Sequence, residues 1–335
     1  MVIIPPMIVA GIDEAGYGPL LGPLVVGCCA FEVPAPAVRP GPTQMAEPPC
    51  IWQALAAAVS RRRLRSSRKL HINDSKQVYS PSLGLKELER SVLCLAASAG
   101  NWCDDLHAFL DRVAPQTVGQ LGEYPWYAPA ARERFPLEQD AMGLQLFTNG
   151  LKAQMQRSGC RCVHFEARVV LERPLNRLFE TTRNKGNALF SIAAVHLDRL
   201  LRLYGQQDLV IYCDRQGGRE HYGAVLRQMF GDWSLEILLE TPERSDYRLI
   251  RSGRAVHITF RQSAESQCLA VAAASMLCKY LREALMRRFN AWWRTMLPDI
   301  RPTAGYYSDG MRFLGDIDAK CRELGIARDS LVRSR

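Results

Sequence analysis

The fold of this chain is decided by the stretch Ile8-Val9-Ala10-Gly11-Ile12-Asp13-Glu14-Ala15-Gly16-Tyr17-Gly18-Pro19. Its apolar first half predicts a buried strand over 7–13, and the glycines and prolines that follow predict a turn into a second strand over 24–33, together an antiparallel hairpin. Asp13 and Glu14 end the first strand, where adjacent buried carboxylates repel each other and lose hydration. A bound cation would compensate that cost. The alternative is a strand end that simply faces water.

The rest of the chain has the pattern of an α/β protein. A long amphipathic helix over 187–203 leads into a strand over 208–214 that ends on Asp214. This order of helix and strand indicates α/β connectivity. Further strands are predicted within 233–260, a long helix over 267–293 and a last helix near 311–324.

The charge balance favours a polyanionic partner, of which nucleic acid is the usual one. The 335 residues include 43 Lys and Arg against 34 Asp and Glu, a formal charge of +9. The densest positive run contains Arg61, Arg62, Arg63 and Arg65, just before Asp74-Ser75-Lys76. These arginines are possible phosphate contacts, and the alternative is a solvated helix face.

The eleven cysteines are scattered and odd in number, which fits a reducing cytoplasm better than a disulfide framework. Cys160 and Cys162 lack both the spacing of a zinc knuckle and a second pair, so zinc is not expected. His196 lies on the apolar stripe of the 187–203 helix and is expected to be a core or edge histidine rather than a ligand. Neither an export signal nor a membrane span is expected, because the apolar runs are short and interrupted.

Four acidic residues are the candidate catalytic residues. Asp13 and Glu14 end one strand, Asp214 ends another, and Glu283 shares a face of the long helix with Ser275 and Lys279 at four-residue spacing. Hard oxygen ligands suit Mg²⁺ or Mn²⁺, and two such ions about 4 Å apart would serve phosphodiester hydrolysis without a histidine or serine nucleophile. The alternative for Lys279 and Glu283 is an ion pair on the helix surface.

These residues resemble the motifs of ribonuclease HII, the type 2 ribonuclease H. The first motif is similar to Gly11 to Pro19 with Gly22-Pro23, and the second to Asp74-Ser75-Lys76. The strand that ends at Asp214 falls where the family has its third acid. The remaining similarities are Ala272-Ala273-Ala274-Ser275 with Lys279 and Arg282-Glu283, and Gly305-Tyr306.

The resemblance implies a single ribonuclease H-like domain over 1–335, with a mixed central sheet flanked by helices. Its core is expected at about 7–34, 70–100, 160–232 and 261–293. Insertions are expected at about 35–69, 101–159 and 233–260, and a C-terminal helical tail at 296–335.

The resemblance also implies two-metal endonucleolytic cleavage of RNA in RNA–DNA hybrids, or at ribonucleotides in duplex DNA, leaving a 3′-hydroxyl and a 5′-phosphate. The expected metal ligands are Asp13, Glu14, Asp214 and Glu283. The expected substrate contacts are Gly16, Tyr17, Gly18, Lys76, Ser275, Lys279 and Tyr306.

Two positions depart from the family pattern. Tyr17 stands where the family usually has arginine, which puts strict ribonucleotide selectivity in doubt. Glu283 stands where aspartate is usual, and its extra methylene bears on ion spacing or preference. Three other functions stay open: a related nuclease for another nucleic acid, a non-catalytic nucleic-acid-binding protein on the same scaffold, and a dinucleotide-binding loop at Gly16, Gly18 and Gly22.

Overall fold

The computed structural model describes residues 5–35, 48–64, 68–128 and 134–334. These residues form nine β-strands and eleven α-helices. The strands are β1 (Met7–Ala15), β2 (Leu24–Val33), β3 (Val59–Ser60), β4 (Leu70–His71), β5 (Arg161–Val170), β6 (Asp208–Asp214), β7 (Ser234–Glu240), β8 (Arg244–Arg251) and β9 (Arg254–Arg261). The helices are α1 (Ile51–Ala54), α2 (Ser75–Val78), α3 (Lys86–Ser98), α4 (Leu106–Val113), α5 (Pro115–Leu121), α6 (Ala141–Ser158), α7 (Glu172–Thr182), α8 (Lys185–Tyr204), α9 (Gly223–Met229), α10 (Leu269–Met296) and α11 (Tyr307–Leu324).

Seven strands form one sheet in the order β5-β2-β1-β6-β9-β8-β7. The central pairs β1–β6 and β6–β9 are parallel, and the outer pairs are antiparallel. The predicted antiparallel hairpin of β1 and β2 is confirmed, with Asp13 opposite Gly27. The predicted fold class, a mixed sheet flanked by helices, is confirmed as well.

One predicted boundary requires correction. Residues 233–260 were expected to form an insertion, but β9 lies between β6 and β8 inside the sheet. The local sequence pattern predicted the strands in this range. It could not predict which strands they pair with, because pairing joins residues far apart in sequence. The last part of this range therefore belongs to the central sheet.

Two hydrophobic layers cover the two faces of the sheet. Val9 and Val25 of the hairpin pack in the layer that contains α10 and α3. Ile8 and Ile12 pack in the layer that contains α8. Side chains alternate along a strand, so neighbouring residues of β1 contribute to different layers.

The aromatic residues of the 101–159 segment are core residues. Tyr124, Trp126 and Tyr127 are fully buried, and the Trp126 ring stacks on Trp293 of α10 with ring centroids 6.3 Å apart. The segment is tied down further by Glu89 of α3, whose carboxylate accepts the backbone N–H groups of residues 137–139. These aromatics therefore pack the segment onto the body of the protein. In the described residues, every helix is too short or too polar to cross a lipid bilayer.

Helix α10 approaches the hairpin so closely that two strand positions require glycine. A Cβ built on Gly11 would lie 2.1 Å from the backbone N of Val271, and one on Gly27 would lie 2.9 Å from the carbonyl O of Ala274. Both obstacles are backbone atoms of α10, which cannot turn away as a side chain can. The close approach places the first turns of α10 beside the end of β1.

We expect Gly11→Ala to lower the free energy of unfolding by about 3 kcal/mol, the upper range for overpacking a well-packed core. Urea denaturation would measure it. Gly315→Ala in α11 is the matched control, because nothing lies within 4 Å of its added Cβ. That control should be neutral or gain up to about 1 kcal/mol from helix propensity. An unchanged unfolding midpoint for Gly11→Ala would contradict the close packing.

Candidate functional site

Three of the predicted acids meet at the carboxyl ends of two central strands of the sheet. β1 and β6 are parallel with Ile12 opposite Cys213, so the residues that follow, Asp13 and Asp214, stand side by side at the carboxyl ends of the two strands. Glu14 continues β1. Carboxyl ends of parallel strands are where α/β sheets commonly carry their binding sites.

Burial and mutual repulsion dominate the electrostatics of the two β1 acids. Burial, followed by the charges of Glu14 and Asp214, raises the pKa of Asp13 well above its usual value, and the nearby Ser275 hydroxyl offsets part of this. Burial and then the charge of Asp214 raise the pKa of Glu14 to about 8, against the lowering effect of Lys76. The fold therefore holds Asp13 and Glu14 where ionisation of both carboxyl groups is unfavourable. A bound cation would favour their ionised forms.

Glu265 is an acid of this cluster that the sequence interpretation missed. It lies in a short 3₁₀ turn (Ala264–Ser266) directly after β9, beside β6 in the sheet. The backbone N–H of Ala264 donates to Asp214 Oδ1 at 3.0 Å, and the side chains of Glu265 and Asp214 are hydrogen-bonded. Burial, then the Asp214 charge, raises the pKa of Glu265 to about 7. The sequence predicted a strand before Glu265 but not the pairing of that strand with β6, so it gave no signal for this residue.

The second predicted motif supplies a lysine near these acids. Asp74 begins α2 as its N-cap, its carboxylate accepting the backbone N–H of Lys76 at 2.9 Å. The exposed Lys76 lies near enough to lower the pKa values of Glu14 and Asp214. Ser275 of α10 donates its hydroxyl hydrogen bond to Ser75 at 3.1 Å and neighbours Asp13. α2 and α10 thus meet at the acids.

The structure places Glu283 in different surroundings. Its Oε1 accepts from Lys279 Nζ at 2.6 Å, and its Oε2 accepts from the Tyr79 hydroxyl at 2.9 Å. The Lys279 ammonium also lies 4.5 Å from the centroid of the Tyr79 ring. Glu283 follows Ser275 by eight residues, a rise of about 12 Å along the helix. Of the four predicted acids, the structure therefore brings together Asp13, Glu14 and Asp214, and Glu283 sits in an ion pair with Lys279.

The glycine turn after β1 is fixed by the C-terminal part of the chain. Gly16 has a φ of +87°, which favours glycine, and its carbonyl accepts from the guanidinium of buried Arg333. Arg333 also donates to the carbonyl of Tyr17 at 3.3 Å. The carbonyl of Gly305 accepts the N–H of Leu20 at 2.7 Å, so the exposed Tyr306 lies next to this turn. The turn and the predicted glycine-tyrosine element are therefore one structural unit.

The side chain of Tyr17 lies over the turn that follows Asp214. A Cβ built on Gly217 would lie 3.1 Å from the Tyr17 hydroxyl oxygen. Burial and then the Glu14 charge raise the pKa of Tyr17, whereas the guanidinium groups of Arg219 and Arg333 lower it. Tyr17 therefore joins β1 and β6 at their acidic ends.

The arginine run is tied to the second motif. Arg61, Arg62 and Arg63 are exposed, and the Arg61 carbonyl accepts from the side-chain amide of Asn73 at 3.0 Å. The Arg61 guanidinium also stacks 3.9 Å from the Trp52 ring centroid. Arg65 lies outside the described residues. The three described arginines therefore lie in a segment that is hydrogen-bonded, through Asn73, to the segment that carries Lys76.

The acidic cluster has the donor chemistry of a site for Mg²⁺ or Mn²⁺. Glu14 Oε2 and Glu265 Oε2 are buried without a hydrogen-bond partner, and such oxygens are costly unless a cation or donor satisfies them. Among residues 5–35, 48–64, 68–128 and 134–334, no three carboxylates have oxygens all within 4.8 Å of one another.

The raised carboxyl pKa values predict a distinctive pH dependence of stability. The pKa of Glu14 rises from 4.5 to about 8 on folding, so stability is highest below the unfolded value and falls as the pH rises toward about 8. In chelator, we expect Glu14→Gln to gain stability over the parent by about 2 kcal/mol between about pH 5 and about pH 8. Urea denaturation across this range measures the difference. Glu180→Gln, at an exposed position of α7, should have the same pH dependence of stability as the parent. A stability difference between Glu14→Gln and the parent that does not change with pH would contradict the prediction.

No protein-family model and no curated protein matches the chain. Among solved structures, the chain is similar to ribonuclease HII of Archaeoglobus fulgidus in its complex with PCNA, with 16% identity, 98% of this chain and 95% of that chain covered, and a TM-score of 0.40. It is also similar to ribonuclease H2 of Pyrococcus horikoshii OT3, with 13% identity, 97% and 92% covered, and a TM-score of 0.41. A third is Bst-RNase HIII in complex with Mn²⁺, with 15% identity, 98% and 67% covered, and a TM-score of 0.46.

Proposed function

We propose that the protein is a metal-dependent endonuclease of the ribonuclease H type. The observation that carries the proposal is the convergence of Asp13, Glu14 and Asp214 at the carboxyl ends of the parallel strands β1 and β6. A protein that only bound a polyanion would gain nothing from repelling carboxylates in its contact surface. Carboxylates arranged in this way suit Mg²⁺ or Mn²⁺, which nucleic-acid phosphates also coordinate.

Asp13, Glu14, Asp214 and Glu265 would hold the ions. Bound there, two ions would lower the pKa of an attacking water and stabilise the leaving oxygen of a phosphodiester. We propose Glu265 in place of Glu283 as the fourth ligand, because Glu265 is hydrogen-bonded to Asp214 while Glu283 is paired with Lys279. Glu283 would then orient Lys279 and Tyr79 for contact with the substrate.

The chain's own residues would position the substrate. Lys76 projects beside the acids as a cation for the scissile strand's backbone. The exposed Arg61, Arg62 and Arg63 would extend this contact to neighbouring phosphates. Gly16 and Gly18 would present backbone N–H groups of the turn to the ribose, with Tyr17 and Tyr306 on either side. Ser275 would keep α2 and α10 together beneath the site.

Cleavage of labelled duplexes would test the proposal. We expect Mg²⁺ or Mn²⁺ to support cutting of an RNA–DNA hybrid, or of duplex DNA with one ribonucleotide, leaving a 3′-hydroxyl and a 5′-phosphate. An all-DNA duplex of the same sequence is the matched control. Equal cutting of that control would overturn the ribonucleotide preference, and an inert protein that still bound the hybrid would favour a non-catalytic binder.

A further inference from the structure

A second group of ligand-type side chains lies in the hydrophobic layer on the α8 side of the sheet. Cys28 of β2, His164 of β5 and His196 of α8 are all buried, and their donor atoms lie within 4.8 Å of one another. Cys28 pairs with Glu166 across the β2–β5 ladder, and Ala30 pairs with His164, so Cys28 and His164 are diagonal neighbours on one face. The three residues come from three separate secondary-structure elements, and none of these elements carries an acid of the acidic cluster.

The hydrogen bonds of the two histidines leave ring nitrogens available for a ligand. His196 Nε2 lies 3.0 Å from the carbonyl oxygen of Val26. A carbonyl only accepts, so Nε2 carries the proton and Nδ1 keeps its lone pair, as in histidines whose second nitrogen is oriented for metal binding. His164 Nε2 is buried and has no hydrogen-bond partner. A core histidine with a purely structural role would normally have this nitrogen satisfied.

The surroundings favour neutral imidazoles and a balanced charge. Burial is the main cause that lowers the pKa of His164 to about 4 and of His196 to about 3. Glu166 Oε2 lies 3.7 Å from His164 Nε2, and Glu166 Oε1 accepts from Arg199 at 2.7 Å. The Glu166 carboxylate therefore neutralises Arg199, one of the two arginines, with Arg168, whose positive charges act on His196.

We propose that Cys28, His164 and His196 bind a zinc ion. One thiol and two imidazoles are donors that zinc accepts at about 2.3 Å and about 2.0–2.1 Å, whereas Mg²⁺ and Mn²⁺ prefer oxygen. Binding would form one sulfur–zinc bond and release the Cys28 thiol proton to solvent. The ion would join β2, β5 and α8, and the site is independent of the proposed nuclease function. These three donors are far apart in sequence, so the spacing of neighbouring cysteines gives no sign of them.

Cobalt(II) is the probe for this site, because a cobalt–thiolate bond gives a near-ultraviolet charge-transfer band that oxygen ligands do not give. The full chain is stripped with chelator and titrated with Co²⁺ in millimolar Mg²⁺, which competes for oxygen ligands. We expect the band to saturate at one Co²⁺ per chain and to disappear when Zn²⁺ is added. A parent protein without the band overturns the proposal, and this result needs no variant to fold.

Variants identify the ligands. Cys28→Ser should abolish the band, and His164→Asn should weaken Co²⁺ binding by more than the roughly 10–100-fold cost of losing an outer-shell partner. Cys94→Ser, at a buried cysteine that contacts the Leu144 carbonyl, should keep the band, as should Asp13→Asn. A band that persists in Cys28→Ser overturns the proposal. A band lost in Asp13→Asn would place the thiolate ligand beside the acidic cluster, where Cys278 contacts the Asp13 carbonyl, and would overturn the proposal equally.

Discussion

Asp13→Asn is expected to lower the rate of hybrid cleavage by about 10³-fold, the scale on which losing one preorganised electrostatic group acts. The substitution keeps the size of the side chain and removes the charge that would hold an ion between β1 and β6. Affinity for the hybrid should be unchanged or higher, because one negative charge leaves a surface that contacts phosphates. Single-turnover cleavage and a separate equilibrium binding assay measure the two effects.

The same variant should be more stable than the parent in chelator at about pH 8. Asp13 is buried beside two other acids, so its ionised form is disfavoured in the folded state and its neutral amide replacement avoids that cost. Asp318→Asn is the matched control, since Asp318 is exposed on α11. It should leave cleavage and stability as they are. Full activity in Asp13→Asn, or loss of binding together with cleavage, would contradict the proposed role.

Local patterns were sufficient for the strands that carry the first acids. The apolar residues of β1 and β2 and the turn between them predicted the hairpin, and Asp208–Asp214 predicted β6 within its observed bounds. Because both strands end on acids, a parallel pairing was enough to bring Asp13 and Asp214 together. The pattern could not supply that pairing, which depends on contacts between residues about two hundred positions apart.

Glu265 and the zinc ligands had no comparable local signal. Glu265 lies in a polar 3₁₀ turn without periodicity, and it becomes an active-site candidate only because β9 pairs with β6. Glu283 was predicted instead because it follows Ser275 and Lys279 at four-residue spacing in α10. The structure contains the ion pair between Lys279 and Glu283, which was the alternative interpretation of that spacing. Cys28, His164 and His196 are likewise adjacent only in the folded chain.

Comparison of Glu265→Gln with Glu283→Gln decides which acid is the fourth ligand. We expect Glu265→Gln to lower the cleavage rate by about 10²–10³-fold, because it removes a carboxylate that faces Asp214 at the proposed ion site. Glu283→Gln should lower it by less than about 10-fold, since its carboxylate is paired with Lys279 and hydrogen-bonded to Tyr79. Both are measured as single-turnover rates over a range of Mn²⁺ concentrations.

The metal dependence separates a ligand from a residue that acts through its neighbours. A lost ligand raises the Mn²⁺ concentration needed for half-maximal rate, so Glu265→Gln should show that shift and Glu283→Gln should not. Glu283→Gln should instead weaken binding of the hybrid, because Lys279 loses the partner that orients it toward phosphate. The two substitutions are chemically identical, so each controls for the other. The reverse outcome, with Glu283→Gln inactive and Glu265→Gln nearly normal, would restore the four-acid set predicted from the sequence.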